Sequence, residues 1–364
     1  MTVNSVAKII ENLAPLAYAE DFDNVGLLVG NPNMEVSGVL VTLDTLENVV
    51  DEAVEKNCNL IISFHPIIFG GLKKITGKNY VERVVMKAIK HDIALYAIHT
   101  ALDNHFHGVS AKICEVLGLR NRKILIPQKN TIKKITTYVP LSEAENIRNQ
   151  LFNAGAGSIG NYSNCSFSNN GTASYKANET ATPVYGSKGT LHVEAETQLH
   201  LTFDSAKEKA IIASLLAHHP YEEVAYEITT LDNVNQHIGM GMIAELPSAM
   251  SEKAFLSSLK EKMHLSCIRH SALREKDVMK VAVLGGSGAF AIGAAKAAGA
   301  DVFISADIKY HEFYQAEGQM IIADIGHFES EQFTKNLLVD YLTKKIPNFA
   351  VRLSESITNP IKYF

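Results

Sequence analysis

The apolar positions of this chain fall into three stretches of different rhythm. Up to about residue 128, short apolar runs alternate with segments of helical period. Val39–Leu43, Leu60–Phe64 and Ala94–Ile98 are compact β-rich runs, and Ser5 to Leu16 reads as an amphipathic helix. Leu46–Lys56, Tyr80–His91 and Val109–Leu117 read as further helices, the last ending at Gly118. Strands that are apolar throughout, rather than alternately, are covered on both faces, so this stretch predicts a partly parallel sheet flanked by helices.

Between about 130 and 232 the rhythm changes. Ile132–Val139 reads as a strand, and Ser142 with Glu145 has the spacing of a capping box that opens a helix to Asn153. The stretch from 155 to 190 is rich in Gly, Ser, Asn and Thr and predicts strand edges joined by a long loop. Leu191, Val193, Ala195, Leu199, Leu201 and Phe203 then alternate with polar residues along one strand. Ala206–Ala217 follows as a helix and Glu223–Leu231 as a last strand. The order strand–helix–strand–strand–helix–strand predicts a ferredoxin-like α+β domain. After 236 the first rhythm returns. Val281–Leu284, Asp301–Ser305 and Met320–Ile325 read as strands; Ala289–Ala298, Tyr310–Glu317 and Glu329–Leu342 read as helices. The expected organisation is one α/β domain in two halves, 1–128 and 236–364, with an insert over 129–235.

Composition narrows the setting. Hydrophobic residues at 46% and charged residues at 20% are ordinary globular values. The net charge of −5 gives no basis for general affinity to nucleic acid or an anionic membrane. No apolar run is long enough for a transmembrane helix, and the N-terminal segment carries acids where a signal peptide carries apolar residues. Cys58, Cys114, Cys165 and Cys267 lie far apart with no CxxC pair, as expected of reduced structural thiols. A cytoplasmic protein is the expectation.

The chemistry gathers just past the predicted strands. Ser63-Phe-His65, His99-Thr-Ala-Leu-Asp103, Asp307-Ile-Lys309-Tyr-His311 and Gly326-His327-Phe-Glu-Ser-Glu331 all sit at such ends. In open α/β sheets the carboxyl edge of the strands is where ligands bind. His327 and Glu331, four residues apart at a predicted helix start, project from one face. Histidine with carboxylate suits zinc, iron or manganese, one ion or two. His105 and His107 read as loop residues, and His218 and His219 as packing of the insert. A rival lies in Gly285-Gly-Ser-Gly288-Ala-Phe-Ala291: Gly286 to Ala291 fits GxGxxA after a strand, and Asp307 stands where a ribose-binding acid would. As a lone fingerprint followed at once by Lys309 and His311, it is the weaker reading.

Taken together, Asp23 to Gly30, His65 to Phe69, His99 to Asp103, Gly285 to Phe290, Ala300 to His311 and Gly326 to Glu331 resemble the NIF-three-like proteins, the GTP cyclohydrolase I type 2 homologs. The resemblance implies a dinuclear metal centre held by His65, Asp103, His327 and Glu331, in a homohexamer. Where that family has a second histidine before His65, this chain has Phe64, which implies a weakened second site. The segment His218 to Glu227 is similar to CutA and PII-like inserts. Two functions follow: a metal-dependent hydrolase acting on a small molecule, with His99 for proton transfer and Lys309 and His311 as anion-binding candidates, or a non-catalytic metal-holding assembly whose insert senses a ligand.

Overall fold

In the computed structural model, which describes residues 1–364, the unbroken apolar runs are strands with no exposed face. The N-terminal half runs α1 (Val3–Leu13), β1 (Gly26–Val29), β2 (Val39–Thr42), α2 (Glu47–Glu55), β3 (Leu60–Ser63), α3 (Tyr80–Lys90) and β4 (Ala94–Ala97). It continues through α4 (His99–Asp103), α5 (Val109–Leu117) and β5 (Arg120–Pro127). Next come β6 (Ile132–Pro140), α6 (Ala144–Asn153), β7 (Phe167–Lys176), β8 (Leu191–Asp204), α7 (Glu208–His218) and β9 (Tyr226–Thr230). The C-terminal part holds β10 (Gly239–Ser251), α8 (Glu252–Lys262), β11 (Arg269–His270), β12 (Asp277–Ser287), α9 (Ile292–Ala297) and β13 (Val302–Ala306). It ends with β14 (Ile321–Asp324), α10 (His327–Glu331), α11 (Thr334–Lys345) and β15 (Val351–Leu353). No helix is long and apolar enough to cross a membrane. All four cysteines are free thiols.

The chain divides into two compact units, Met1–Pro127 with Gln236–Phe364, and Gln128–Asn235. The first unit is a mixed α/β structure with two sheets. One has the order β1-β4-β3-β2-β15, parallel except for β1; the other has the order β11-β14-β13-β12-β10-β5, parallel only across β12, β13 and β14. A shared core joins them: Val41, Leu60 and Ile62 of one sheet and Val281, Val283 and Ile304 of the other belong to a single buried cluster with α1, α5, α8 and α11. Each sheet's other face has its own cluster, under α2 and α3 on the first and α9 on the second. Both parallel sets therefore have two buried faces, which is the physical reason for their uninterrupted apolar sequences.

The second unit is a four-stranded antiparallel sheet, order β7-β8-β6-β9, with α6 and α7 on one face. Ile135, Val139, Leu199, Leu201 and Phe203 alternate toward Ile147, Leu151, Ile211 and Leu215 of the helices.

Several local expectations are corrected. Ser142 does not cap α6: the N-cap position falls on Glu143, and no side chain caps it. The polar stretch contains a full ten-residue strand, β7, whose pairing with β8 runs from Phe167 to Lys176. Residues Tyr310–Ala316 form a 3-10 helix rather than an α-helix. The helix expected over Glu329–Leu342 is two helices, because the chain turns at Gln332 and Phe333 between α10 and α11. Strands β1, β5, β10 and β15 and helix α8 had no counterpart in the sequence reading.

Candidate metal centre

Three histidines of the first unit stand just past parallel strands, and each has its Nδ1 on an aspartate. His65, after β3, meets Asp44 Oδ1 at 2.8 Å; His99, after β4, meets Asp23 Oδ1 at 2.9 Å; His327, after β14, meets Asp307 Oδ2 at 2.7 Å. A carboxylate at Nδ1 holds the ring's orientation and favours the tautomer with its proton there, leaving Nε2 as the available donor atom. The aspartates are themselves held. Asp23 accepts from the backbone N–H and the hydroxyl of Thr100, and Asp44 accepts from Thr358 at 2.7 Å.

Two of these Nε2 atoms converge on one carboxylate oxygen. Glu331 Oε2 lies 3.1 Å from His65 Nε2 and 3.2 Å from His327 Nε2. The donor atoms of His65, His327 and Glu331 lie within 4.8 Å of one another. Both His65 Nε2 and Glu331 Oε2 are buried, and neither makes a hydrogen bond of good angle despite these short separations. Ligand atoms about 2.0–2.2 Å from one ion, at tetrahedral or octahedral angles, stand about 2.8–3.6 Å apart. The two histidine–Glu331 separations fall in that interval, so the residues present fit a small divalent ion.

Sequence-local structure explains why Glu331 reaches this point. Gly286, at the end of β12, has φ +69°, and a β-carbon there would lie 2.4 Å from Glu331 Oε1. Its N–H donates to Ser330 Oγ at 2.8 Å. The glycine segment that resembles a dinucleotide fingerprint thus makes room for α10, and Asp307 orients His327 in place of a ribose.

The groups of the cluster shift one another strongly. Burial pushes the Glu331 carboxyl up, but contact with His327 and His65 outweighs it and holds it at about 2. Burial pushes His65 and His327 down, and their carboxylate neighbours more than reverse this, to about 10 and about 9. Asp103 is pushed well above the ordinary carboxylate range by burial and by the charge of Glu331.

Of the residues singled out in the sequence, His65, His327 and Glu331 come together. Asp103, at the end of α4, is within electrostatic reach of all three but outside the close group. His99 is beside it, with its ring 5.2 Å from that of His65. Lys309 and His311 are exposed, and neither contributes an atom to the close group. Phe64 is fully buried, its ring 4.9 Å from His65 and 5.4 Å from His99. Asp44 and the orienting role of Asp307 escaped the sequence reading; the signal available was an aspartate just past a predicted strand.

Comparison with known proteins adds a family. A family model described as Duf34/NIF3 (NGG1p interacting factor 3) matches residues 1–360. A Bacillus subtilis (strain 168) protein named "GTP cyclohydrolase 1 type 2 homolog" is 38% identical over 364 residues, covering 98% of this chain and 97% of the relative. The crystal structure of a Bacillus cereus protein related to NIF3 matches with a TM-score of 0.86 at 34% identity, covering 100% of this chain and 99% of the other. A Staphylococcus aureus protein matches with a TM-score of 0.78 at 29% identity, with coverage of 100% and 99%.

Proposed function

Because this chain belongs to the Duf34/NIF3 family, we propose that it is a divalent-metal-dependent hydrolase of a small molecule, with His65, His327, Glu331 and Asp103 as metal ligands. The observation that carries the reading is the convergence of His65 Nε2 and His327 Nε2 on one buried Glu331 oxygen, at 3.1 and 3.2 Å. Zinc, iron and manganese all suit this donor set. When bound, a divalent ion supplies Lewis acidity and allows water chemistry at neutral pH.

The chain's own residues have distinct tasks in this reading. Asp44 and Asp307 hold the two ligand imidazoles. His99, with Nδ1 on Asp23, is left with Nε2 to accept or return a proton. Phe69, 6.3 Å from His99, and Phe22, 6.3 Å from Phe69, are both exposed and offer an apolar wall that excludes water from one side of a bound molecule. Lys309 and His311 are kept as candidates for an anionic group of the substrate. The name of the Bacillus subtilis relative supports nucleotides as the first compounds to try.

The rest of the assignment follows from the resemblance and the topology. The first unit is read as a discontinuous NIF-three-like domain. The second, with its β7-β8-β6-β9 order and two helices on one face, is read as a ferredoxin-like insert. A cytoplasmic homohexamer is the proposed state, to be checked by analytical ultracentrifugation.

The test combines metal analysis with turnover. The purified full chain, loaded with zinc, manganese or iron, is expected to hydrolyse at least one member of a nucleotide and phosphoester panel. Glu331→Gln, which keeps the shape and removes the charge, is expected to lose both the metal and the turnover. Unchanged metal content in that variant would refute the ligand assignment. Full metal content with no turnover across the panel would refute the hydrolase.

A further inference from the structure

The insert holds a second concave site, and we propose that it binds a small organic cation, an ammonium or guanidinium compound, with Glu196 as the charge partner. The cavity has a volume of about 670 Å³, within the range of about 300–1,000 Å³ usual for small-molecule sites. It lies wholly in the second unit. Its floor is the sheet face opposite α6 and α7, and strand period places its residues there. Leu199, Leu201 and Phe203 of β8 point to the helices, so Glu196 and Gln198 point the other way.

Register then assembles the floor. Gln198 is opposite Tyr138 on β6 and Asn169 on β7, while Glu196 is opposite Gly171. At Gly171 a β-carbon would meet nothing within 4 Å, so the missing side chain leaves open space directly beside Glu196. Two rings form a wall, Tyr175 and Tyr221, 6.2 Å apart. The lining segment Ala181–Val184 is tied down on either side: the Thr182 N–H donates to Glu222 at 2.6 Å, and Tyr175 Oη donates to the carbonyl of Tyr185 at 2.8 Å.

Charge selects the class of ligand. Glu196, Glu222 and Glu223 line the cavity against the single cation Lys176, which disfavours an anionic ligand. Glu196 is 6% exposed, and one of its oxygens accepts from Tyr221 Oη at 2.8 Å. An ionised carboxylate has about four acceptor positions, so Glu196 keeps capacity for a charged N–H donor. Tyrosine faces beside a carboxylate attract organic cations through the ring quadrupole. Gln198 and Asn169 add neutral hydrogen-bonding groups for the ligand's body.

This site stands apart from the metal reading, and the experiment keeps the two separate. Tyramine and 4-hydroxyphenylacetate share a ring and differ in the sign of their charge; agmatine adds a guanidinium. Calorimetric titration of the full chain is expected to show binding of tyramine or agmatine and none of 4-hydroxyphenylacetate. Glu196→Gln is expected to weaken that binding by about tenfold or more, as loss of a charge-assisted contact requires. Gly171→Val adds bulk to the empty space from an exposed edge strand; it is expected to abolish binding while the melting temperature holds. Metal content is expected to be unchanged in both variants. No binding of either cation, equal binding of the anion, or full affinity in Glu196→Gln or in a folded Gly171→Val would overturn the proposal.

Discussion

Asp44 accepts from the Nδ1 of His65 and is itself held by Thr358, so the proposed metal ligand His65 is oriented through two further side chains. Replacing Asp44 by Asn keeps the shape but removes the charge and allows the wrong imidazole tautomer. Zinc affinity, measured by competition with a chelator, is expected to fall about 10–100-fold, the usual effect of losing a ligand's hydrogen-bond partner. Unaltered affinity would mean that Asp44 does not orient the ligand. Phe64 poses the complementary question. A phenyl ring cannot ligate, so titration of the unmodified protein is expected to give one tight and one loose equivalent of zinc or manganese. Phe64→His should tighten the second, at some cost in stability, because Phe64 is fully buried in the core. Two equally tight equivalents before substitution would show that another donor has taken the place of the missing histidine. The clustering of His65, His327 and Glu331 was legible in sequence because ligand chemistry needs particular residue types at strand ends. The aspartates behind them were less so, since an isolated aspartate after a strand is equally a turn residue.

Helix α10 is five residues long, yet it carries both His327 and Glu331, and its seat is the glycine pair at the end of β12. Gly286→Ala adds a β-carbon 2.4 Å from Glu331 Oε1 at a residue with φ +69°. It is expected to displace the carboxylate and lower metal affinity while the fold survives; full affinity would show that α10 can shift without consequence. Helix α2 ties down the C-terminal segment in a different way. Glu52 accepts from Lys56, Ser354, Ser356 and the Glu355 N–H. Burial pushes its carboxyl up, but these contacts outweigh it and hold it at about 2, against an ordinary 4.5. A depressed carboxylate contributes stability that is full above about pH 4.5 and is lost as pH falls toward 2. The shift corresponds to roughly 3 kcal/mol at most. Thermal melts from pH 6 to pH 3 should therefore fall less steeply for Glu52→Gln than for the unmodified chain; parallel curves would contradict the assignment. The elements read most directly from sequence are the doubly buried strands, whose apolar runs have one interpretation, and β8, whose apolar residues alternate. Strand β7 was expected only as strand edges without bounds, because its residues are almost all exposed, with hydrogen bonds to β8 and no apolar pattern. Strand β10, with Gly239, Gly241 and Pro247 in it, lacks the composition that marks a strand.

At the scale of the whole chain, the second unit is entered and left through adjacent strands. Pro127, the last residue of β5, is paired with Gly239, the first of β10, in an antiparallel ladder. The two ends are therefore already as close as the arms of a hairpin, and a short loop can join them without moving either strand. The insert also has its own core, built from residues of β6, β8, α6 and α7. These facts predict that replacing residues 128–235 by a short Gly-Ser linker leaves the first unit folded and metal-binding. The proposed ligands His65, His327 and Glu331, together with Asp44 and Asp307, all lie in the part retained. The excised unit is expected to fold by itself, since Ile135, Val139, Leu199, Leu201 and Phe203 find their buried partners within it. The trimmed chain should give a cooperative melt and the same tight zinc equivalent as the full protein. If it is soluble but has lost that equivalent, the metal centre depends on the insert through something other than its ligands. If neither part folds alone, the two units are one cooperative structure, and reading the change of sequence rhythm as a domain boundary is wrong.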